Sequence, residues 1–187
     1  MKRYLSTEFI KELKFLEELE EKSDTDSDII RRLFVRSIFA AIESGISDWL
    51  QNCKPKLIRS ILNANSIEEV SEKTFALSVV DNFSFRIDDK GNIKRAKAKV
   101  PTSNLMLFSI NIISQCNETD FNPKEINGWK DLLEAMKVRD RITHPKTIED
   151  LLVNDQEYKK CKSAINWFAE YSLKASGTFD TVMRKYT

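Results

Sequence analysis

The stretch DIIRRLFVRSIFAAIESGISDWLQN, residues 28–52, places apolar side chains at Ile30, Leu33, Phe34, Ile38, Ala41, Ile42, Ile46 and Trp49. Steps of three and four residues recur without the alternation that a half-buried strand requires. The stretch therefore predicts one long amphipathic helix, the spine of a helical bundle. Asp28 starts it, and Pro55 marks its expected end near Asn52, because proline lacks a backbone donor and disfavours helix in the residue before it. Lys54, Lys56 and Arg59 then form a small basic turn. Inside the spine, Glu43 and Ser44 interrupt the apolar run, and Gly45 leaves room for another helix to come close. Ordinary helix geometry favours a solvated Glu43; the alternative is that it supports a polar site on another helix.

Upstream, Ser6 to about Lys22 reads as a surface helix with a narrow stripe at Phe9, Leu13 and Leu16, and the polar run 23–28 breaks the chain before the spine. Downstream, Ser66 and Glu69 form a capping box that opens a helix to about Val80. Phe83, Phe85 and Ile87 then alternate with polar residues, residues 88–92 supply turn chemistry, and residues 93–100 resume an extended pattern. That predicts a small β-hairpin around residues 83–99, inserted into a helical protein. Its second arm holds Lys94, Arg95 and Lys97. The expected arrangement has this arm solvated while the Phe residues pack inward; the alternative is a basic and aromatic surface that contacts RNA. A nearly all-apolar helix follows from Ser103 to about Cys116, then a polar loop to Asn127, which can cap a helix beginning near Gly128. Asn154 with Glu157 opens a last long helix from Asp155 to about Lys174, and a short final helix is expected after residues 176–178.

The fold class that emerges is mainly α, a single helical domain spanning residues 1–187 with one inserted hairpin. A chain of 187 residues has room for one good core, and four Gly and four Pro imply short connections. With 30 basic and 29 acidic residues the net charge is +1, so any surface for nucleic acid must be local. Cys53, Cys116 and Cys161 are far apart and lack neighbouring His, which suggests neither a disulfide framework nor a metal site. Reduced cysteines, no signal peptide and no span long enough for a bilayer together imply a cytoplasmic protein without membrane partners.

Chemistry concentrates at Arg139-Asp140-Arg141-Ile142-Thr143-His144-Pro145. Trp129, Leu132, Leu133 and Met136 mark one helical face, and continuing that stripe meets Arg139, Asp140, Thr143 and His144. An inward face that turns ionisable must find polar partners or line a site. Pro145 ends the helix, which puts His144, the only histidine, at its carboxyl end, where the macrodipole favours an imidazolium. Asp140, one turn earlier, can orient the ring, and a capping role for His144 is the plain alternative.

Arg139, Asp140 and, after four intervening positions, His144 resemble the signature of the HEPN superfamily of small all-helical proteins: an Arg, often followed by a polar residue, then a His near a helix end. The resemblance extends through residues 147–167 and implies a metal-independent endoribonuclease without cofactor. In that chemistry a 2′-hydroxyl attacks the neighbouring phosphorus and leaves a 2′,3′-cyclic phosphate. Arg139 would neutralise phosphoryl oxygens and His144 would move protons. Asp140, Thr143 and Glu43 would support them, and Arg141 and Lys146 would join the hairpin cations as RNA contacts. One His per chain cannot supply both acid and base, whereas a twofold homodimer brings two copies to one cleft. The resemblance further implies a toxin or antiviral effector, with an antitoxin protein as partner. Lys146 stands where antitoxin-paired members often carry Tyr, so modification there is not implied. The competing reading is a noncatalytic HEPN-like scaffold, in which the same residues form a polar network for docking.

Overall fold

The computed structural model describes residues 5–22, 27–119 and 128–175. The elements are α1 (Leu5–Lys22), α2 (Ser27–Leu62), α3 (Ile67–Val80), the strands β1 (Phe83–Ile87) and β2 (Ile93–Lys97), α4 (Thr102–Asn117), α5 (Trp129–Thr143) and α6 (Asp155–Ala175). A 3-10 turn, Glu149–Leu151, lies between α5 and α6. The fold is mainly α with a small antiparallel hairpin, as the periodicities predict. Of the expected break at residues 23–28, residues 23–26 lie outside the described residues and Ser27 and Asp28 already belong to α2; residues 120–127 of the loop before Gly128 and the final helix after residue 176 also lie outside them.

The spine is longer than predicted, because α2 runs through Pro55 to Leu62. Its buried stripe explains why: Ile46, Leu50, Cys53 and Leu57 keep the three-and-four spacing across the proline, and all are buried. An interior proline costs about 3 kcal/mol. Burying a side chain of Leu size returns about 1.5–3 kcal/mol, so Leu50 and Leu57 offset it. Pro55 itself faces solvent. Lys54, Lys56 and Arg59 consequently sit on a helix and not in a turn.

The chain divides into two compact units, residues 1–48 with 121–187 and residues 49–120, and α2 contributes to both. In the first unit, Phe34, Val35, Ile38 and Ile42 of α2 are buried, as are Leu132, Ala135 and Ile142 of α5 and Cys161, Ala164 and Tyr171 of α6. Phe34 meets the Tyr158 ring at 5.0 Å. Gly45 does permit a close approach: a Cβ there would lie 3.3 Å from the Phe168 ring. Leu13 and Leu16 bury one side of α1, and Glu12, Glu17 and Glu20 bond Ser37, Lys162 and Arg31.

In the second unit, Ser66 accepts from the Glu69 amide at 3.1 Å, while the Glu69 carboxylate reaches back to the Asn65 amide at 2.9 Å. The capping box forms, displaced by one residue at its acidic arm. Lys54 pairs with Asp81 at 2.6 Å and Gln51 donates to the Val80 carbonyl at 3.2 Å, which ties α2 to the end of α3. Burial and the neighbouring Cys116 thiol push Cys53 up to about 12, so it is no thiolate at neutral pH.

The hairpin departs from its expected packing. Its register pairs Phe83 with Lys97, Phe85 with Arg95 and Ile87 with Ile93, so these six share one face. Phe85 is 63% exposed, Ile87 74% and Ile93 75%. The aromatic arm is therefore not tucked into the helices. Phe83, closest of the three to the end of α3, is only half-buried.

Candidate functional site

Helix α5 stops at Thr143, and His144 caps it with φ −124° and ψ 56°. Pro145 disfavours helical backbone in the residue before it, and the helix ends where the sequence predicts. The last turn is nevertheless well bonded: the His144 amide donates to the Asp140 carbonyl at 3.0 Å and the Thr143 hydroxyl to the Arg139 carbonyl at 2.6 Å. Thr143 thus secures the helix end and leaves the Arg139 side chain alone.

The inward face does not turn ionisable. Its buried members are Leu132, Ala135, Val138 and Ile142, an apolar stripe to the end of the helix. Arg139 is half-buried at its edge, and Asp140, Thr143 and His144 are exposed. Extrapolating from Trp129 and Met136 misplaces the stripe, because both are only half-buried on its flank while the small apolar Ala135 and Val138 are buried.

Arg139 lies between two carboxylates. It donates to Glu43 of α2 at 2.8 Å and to Asp140 at 2.9 Å, with its guanidinium carbon 5.8 Å from the Phe39 ring centroid. Glu43 is accordingly a partner of Arg139 and not a merely solvated side chain. Asp140 orients this guanidinium and not the imidazole: its carboxylate holds Arg139 while its carbonyl takes the His144 amide. A guanidinium has about five N–H donors, of which these bonds use a minority. The His144 imidazole is exposed and has no hydrogen-bond partner among the described residues.

What fixes the backbone around His144 is a set of arginines. From α2, Arg36 donates to the Ile142 carbonyl at 3.1 Å, Arg32 to Leu151 at 3.3 Å and Arg31 to Val153 at 3.3 Å. Arg141, expected to contact RNA, instead bonds the carbonyls of Asp150 at 3.1 Å and Leu152 at 2.9 Å and the Glu157 carboxylate at 2.7 Å. Glu157 also completes the α6 capping box, exchanging bonds with Asn154 at 3.1 and 3.0 Å. The carbonyls of a non-helical connection need donors, and a forked guanidinium can serve several at once. Arginines 31, 32 and 36 carry no signal in the sequence beyond basic residues on an apolar helix. Arg141→Ala is expected to lower stability by about 1.5–3 kcal/mol, the range for hydrogen bonds to a charged group, with Arg141→Lys recovering little of it in urea unfolding.

On the other side of Pro145, the Asp150 carboxylate accepts from the amides of Lys146 at 2.8 Å and Thr147 at 3.1 Å. These bonds, the Lys146 amide foremost, hold the Asp150 carboxyl below its ordinary value of 3.8. A depressed carboxyl stabilises the folded turn above its unfolded value and loses that contribution as pH falls through the lowered folded one. Asp150→Asn should therefore flatten the acid limb of the melting temperature below about pH 4, while leaving the trend near neutrality unchanged. The Lys146 side chain stays exposed, two positions after His144 in sequence.

The hairpin cations divide. Lys94 is paired with Asp88 at 2.9 Å and lies on the face opposite Phe85, whereas Arg95 and Lys97 share the aromatic face. Elsewhere in the second unit, an open cavity of about 690 Å³ is lined by Lys56, Lys73, Glu69 and Phe108 among others. Its cations are already engaged, Lys73 by Glu69 and Lys56 by the Cys116 carbonyl at 2.7 Å. Among the described residues no cluster of His, Cys, Asp and Glu could hold a metal ion, and no helix is long and apolar enough to cross a membrane. Compared with family models, curated proteins and solved structures, the chain matches none.

Proposed function

We propose that the chain is a HEPN-like, metal-independent endoribonuclease that acts as a homodimer. The observation that carries this reading is the contrast at the end of α5. Backbone and side chains around His144 are tied by Arg31, Arg32, Arg36, Arg141, Asp150 and Thr143, yet the imidazole itself is exposed and unbonded among the described residues. A ring presented on a rigid support and left without partners is suited to exchanging protons with a bound molecule. Arg139, five residues earlier in the chain, keeps donors for phosphoryl oxygens, and Glu43 and Asp140 hold its fork in place.

In this mechanism Arg139 binds the scissile phosphate. The His144 of one protomer takes the proton of the 2′-hydroxyl as it attacks phosphorus. The second copy of His144 gives a proton to the departing 5′-oxygen, leaving a 2′,3′-cyclic phosphate. Support for a second copy comes from α2, where Ile29 and Leu33 are exposed one turn apart, in the turns of the helix that also carry Arg32 and Arg36. Leu152, in the segment those arginines hold, is also exposed. Exposed apolar side chains of this kind suit an interface between subunits.

The noncatalytic scaffold reading draws on one observation, that the Arg139 guanidinium is already paired with two carboxylates. Incubating the purified protein with RNA in excess EDTA separates the two. The nuclease reading requires cleavage with cyclic phosphate ends and specific activity that falls on dilution as dimers dissociate. Absence of cleavage at any protein concentration would leave the scaffold.

A further inference from the structure

We infer that the outer face of the β1–β2 hairpin is a binding platform for a single-stranded polynucleotide. This does not rest on the cleavage reading above. Phe83, Phe85, Ile87, Ile93, Arg95 and Lys97 alternate onto one face of a two-stranded sheet, and the apolar members near its turn stand in solvent. A lone hairpin with an uncovered apolar face is marginal in water, so the arrangement calls for an occupant.

Charge selects which occupant. Between Phe83 and Lys99 six basic residues face the two acids Asp88 and Asp89, in a chain whose net charge is only +1. Lys94 neutralises Asp88, which leaves Arg95 and Lys97 without an acidic partner among the described residues. A second copy of the hairpin would bring like charges together over the apolar face, whereas a polyanion removes the repulsion.

Geometry selects single strands. The Arg95 guanidinium lies 3.8 Å from the Phe83 ring centroid, and Phe83 meets Phe85 edge to face at 5.2 Å. Arg95 thus lies over a ring, a contact that uses the face of the guanidinium and leaves its N–H donors for a phosphate. Phe85 keeps an open ring beside it for an unpaired base, and such stacking tolerates any base because each has a π-face. Lys97, opposite Phe83, continues the positive edge along the strand.

The test is fluorescence anisotropy with end-labelled 2′-O-methyl oligouridylate and with oligothymidylate of equal length. Neither carries a free 2′-hydroxyl, so binding is read whether or not the protein cleaves RNA. Wild type is expected to bind both, with affinity falling as salt rises. Phe85→Ala should weaken binding about 5- to 160-fold, the range for losing one base–aromatic stack, and Phe85→Trp should retain it. The double variant Arg95→Ala with Lys97→Ala should reduce the salt slope by about 1.4, at about 0.7 per lost phosphate contact on a single strand. Far-UV circular dichroism checks that the exposed-site variants keep the fold. The inference is overturned if neither oligonucleotide binds at low salt, or if all variants bind like wild type. It is equally overturned if Phe85→Ala abolishes association with phosphatidylserine vesicles or self-association while oligonucleotide binding stays unchanged.

Discussion

Replacing His144 by Ala is expected to slow RNA cleavage by about 10²- to 10⁴-fold, the usual contribution of one positioned acid or base. In the proposed homodimer the substitution removes both imidazoles from the shared cleft at once, so the loss should sit at the upper end. The effect should appear in kcat more than in KM, because in the proposed mechanism the ring transfers protons and does not hold RNA. Arg139→Ala is expected to cost about 10²- to 10³-fold, comparable with losing a donor to a developing charge. Arg139→Lys should rescue little, since an ammonium cannot grip Glu43, Asp140 and a phosphate in one plane. Single-turnover cleavage of an end-labelled RNA in EDTA, with products resolved from a cyclic phosphate standard, reads each effect. Wild-type rates in both Ala variants would remove Arg139 and His144 from the chemistry. A large drop accompanied by a lower melting temperature would place their role in the fold.

The largest effect on stability is expected at Gly128, the cap of α5. Its φ is +123°, where side chains other than hydrogen are rarely found, and a Cβ there would meet the Trp167 side chain, with Cγ only 2.7 Å away. Trp167 cannot retreat easily. Its ring lies 5.7 Å from Trp129 and 4.6 Å from Tyr171, and both Trp167 and Tyr171 are buried. Gly128→Ala therefore combines strained backbone, about 1–3 kcal/mol, with overpacking, about another 1–3 kcal/mol. The expected sum is roughly 2–6 kcal/mol of lost stability, read from urea unfolding followed by tryptophan fluorescence. A loss below about 1 kcal/mol would mean that the backbone at the α5 start can take another conformation. Because α5 carries Arg139 and His144, the same variant should lose the proposed cleavage as its population unfolds and keep it in the folded fraction.

How legible these features are depends on the range of the interactions that create them. Capping boxes at Ser66 and Asn154 involve residues three apart, and both form. The Pro145 stop and the hairpin turn are equally local, and both appear where the pattern puts them. Pro55 is the instructive exception. Its intrinsic cost is real, but burial of Leu50 and Leu57 outweighs it, and that burial depends on segments far away in the chain. The hairpin Phe residues show the reverse, since alternation reveals that Phe83, Phe85 and Ile87 share a face without revealing what covers it.

The candidate site divides along the same line. Arg139, Asp140 and His144 at the end of a helix can be named from spacing and the following proline. Glu43 can be suspected only as a polar interruption, because its bond to Arg139 joins residues 96 positions apart. Arg141 looks available to a ligand because it is a cation beside the motif, whereas backbone carbonyls and Glu157 occupy it.

By itself, then, the amino-acid order determined that the chain is helical, where most helices begin, that a hairpin interrupts them and which residues crowd the end of α5. Each follows from backbone preferences and periodicities that act within a turn or two. Only the tertiary structure decided that α2 continues past Pro55, that Arg139 rests on Glu43, that arginines brace the segment after His144 and that the hairpin face is open. Those outcomes depend on which distant groups meet, because burial and hydrogen bonding are settled by neighbours in space.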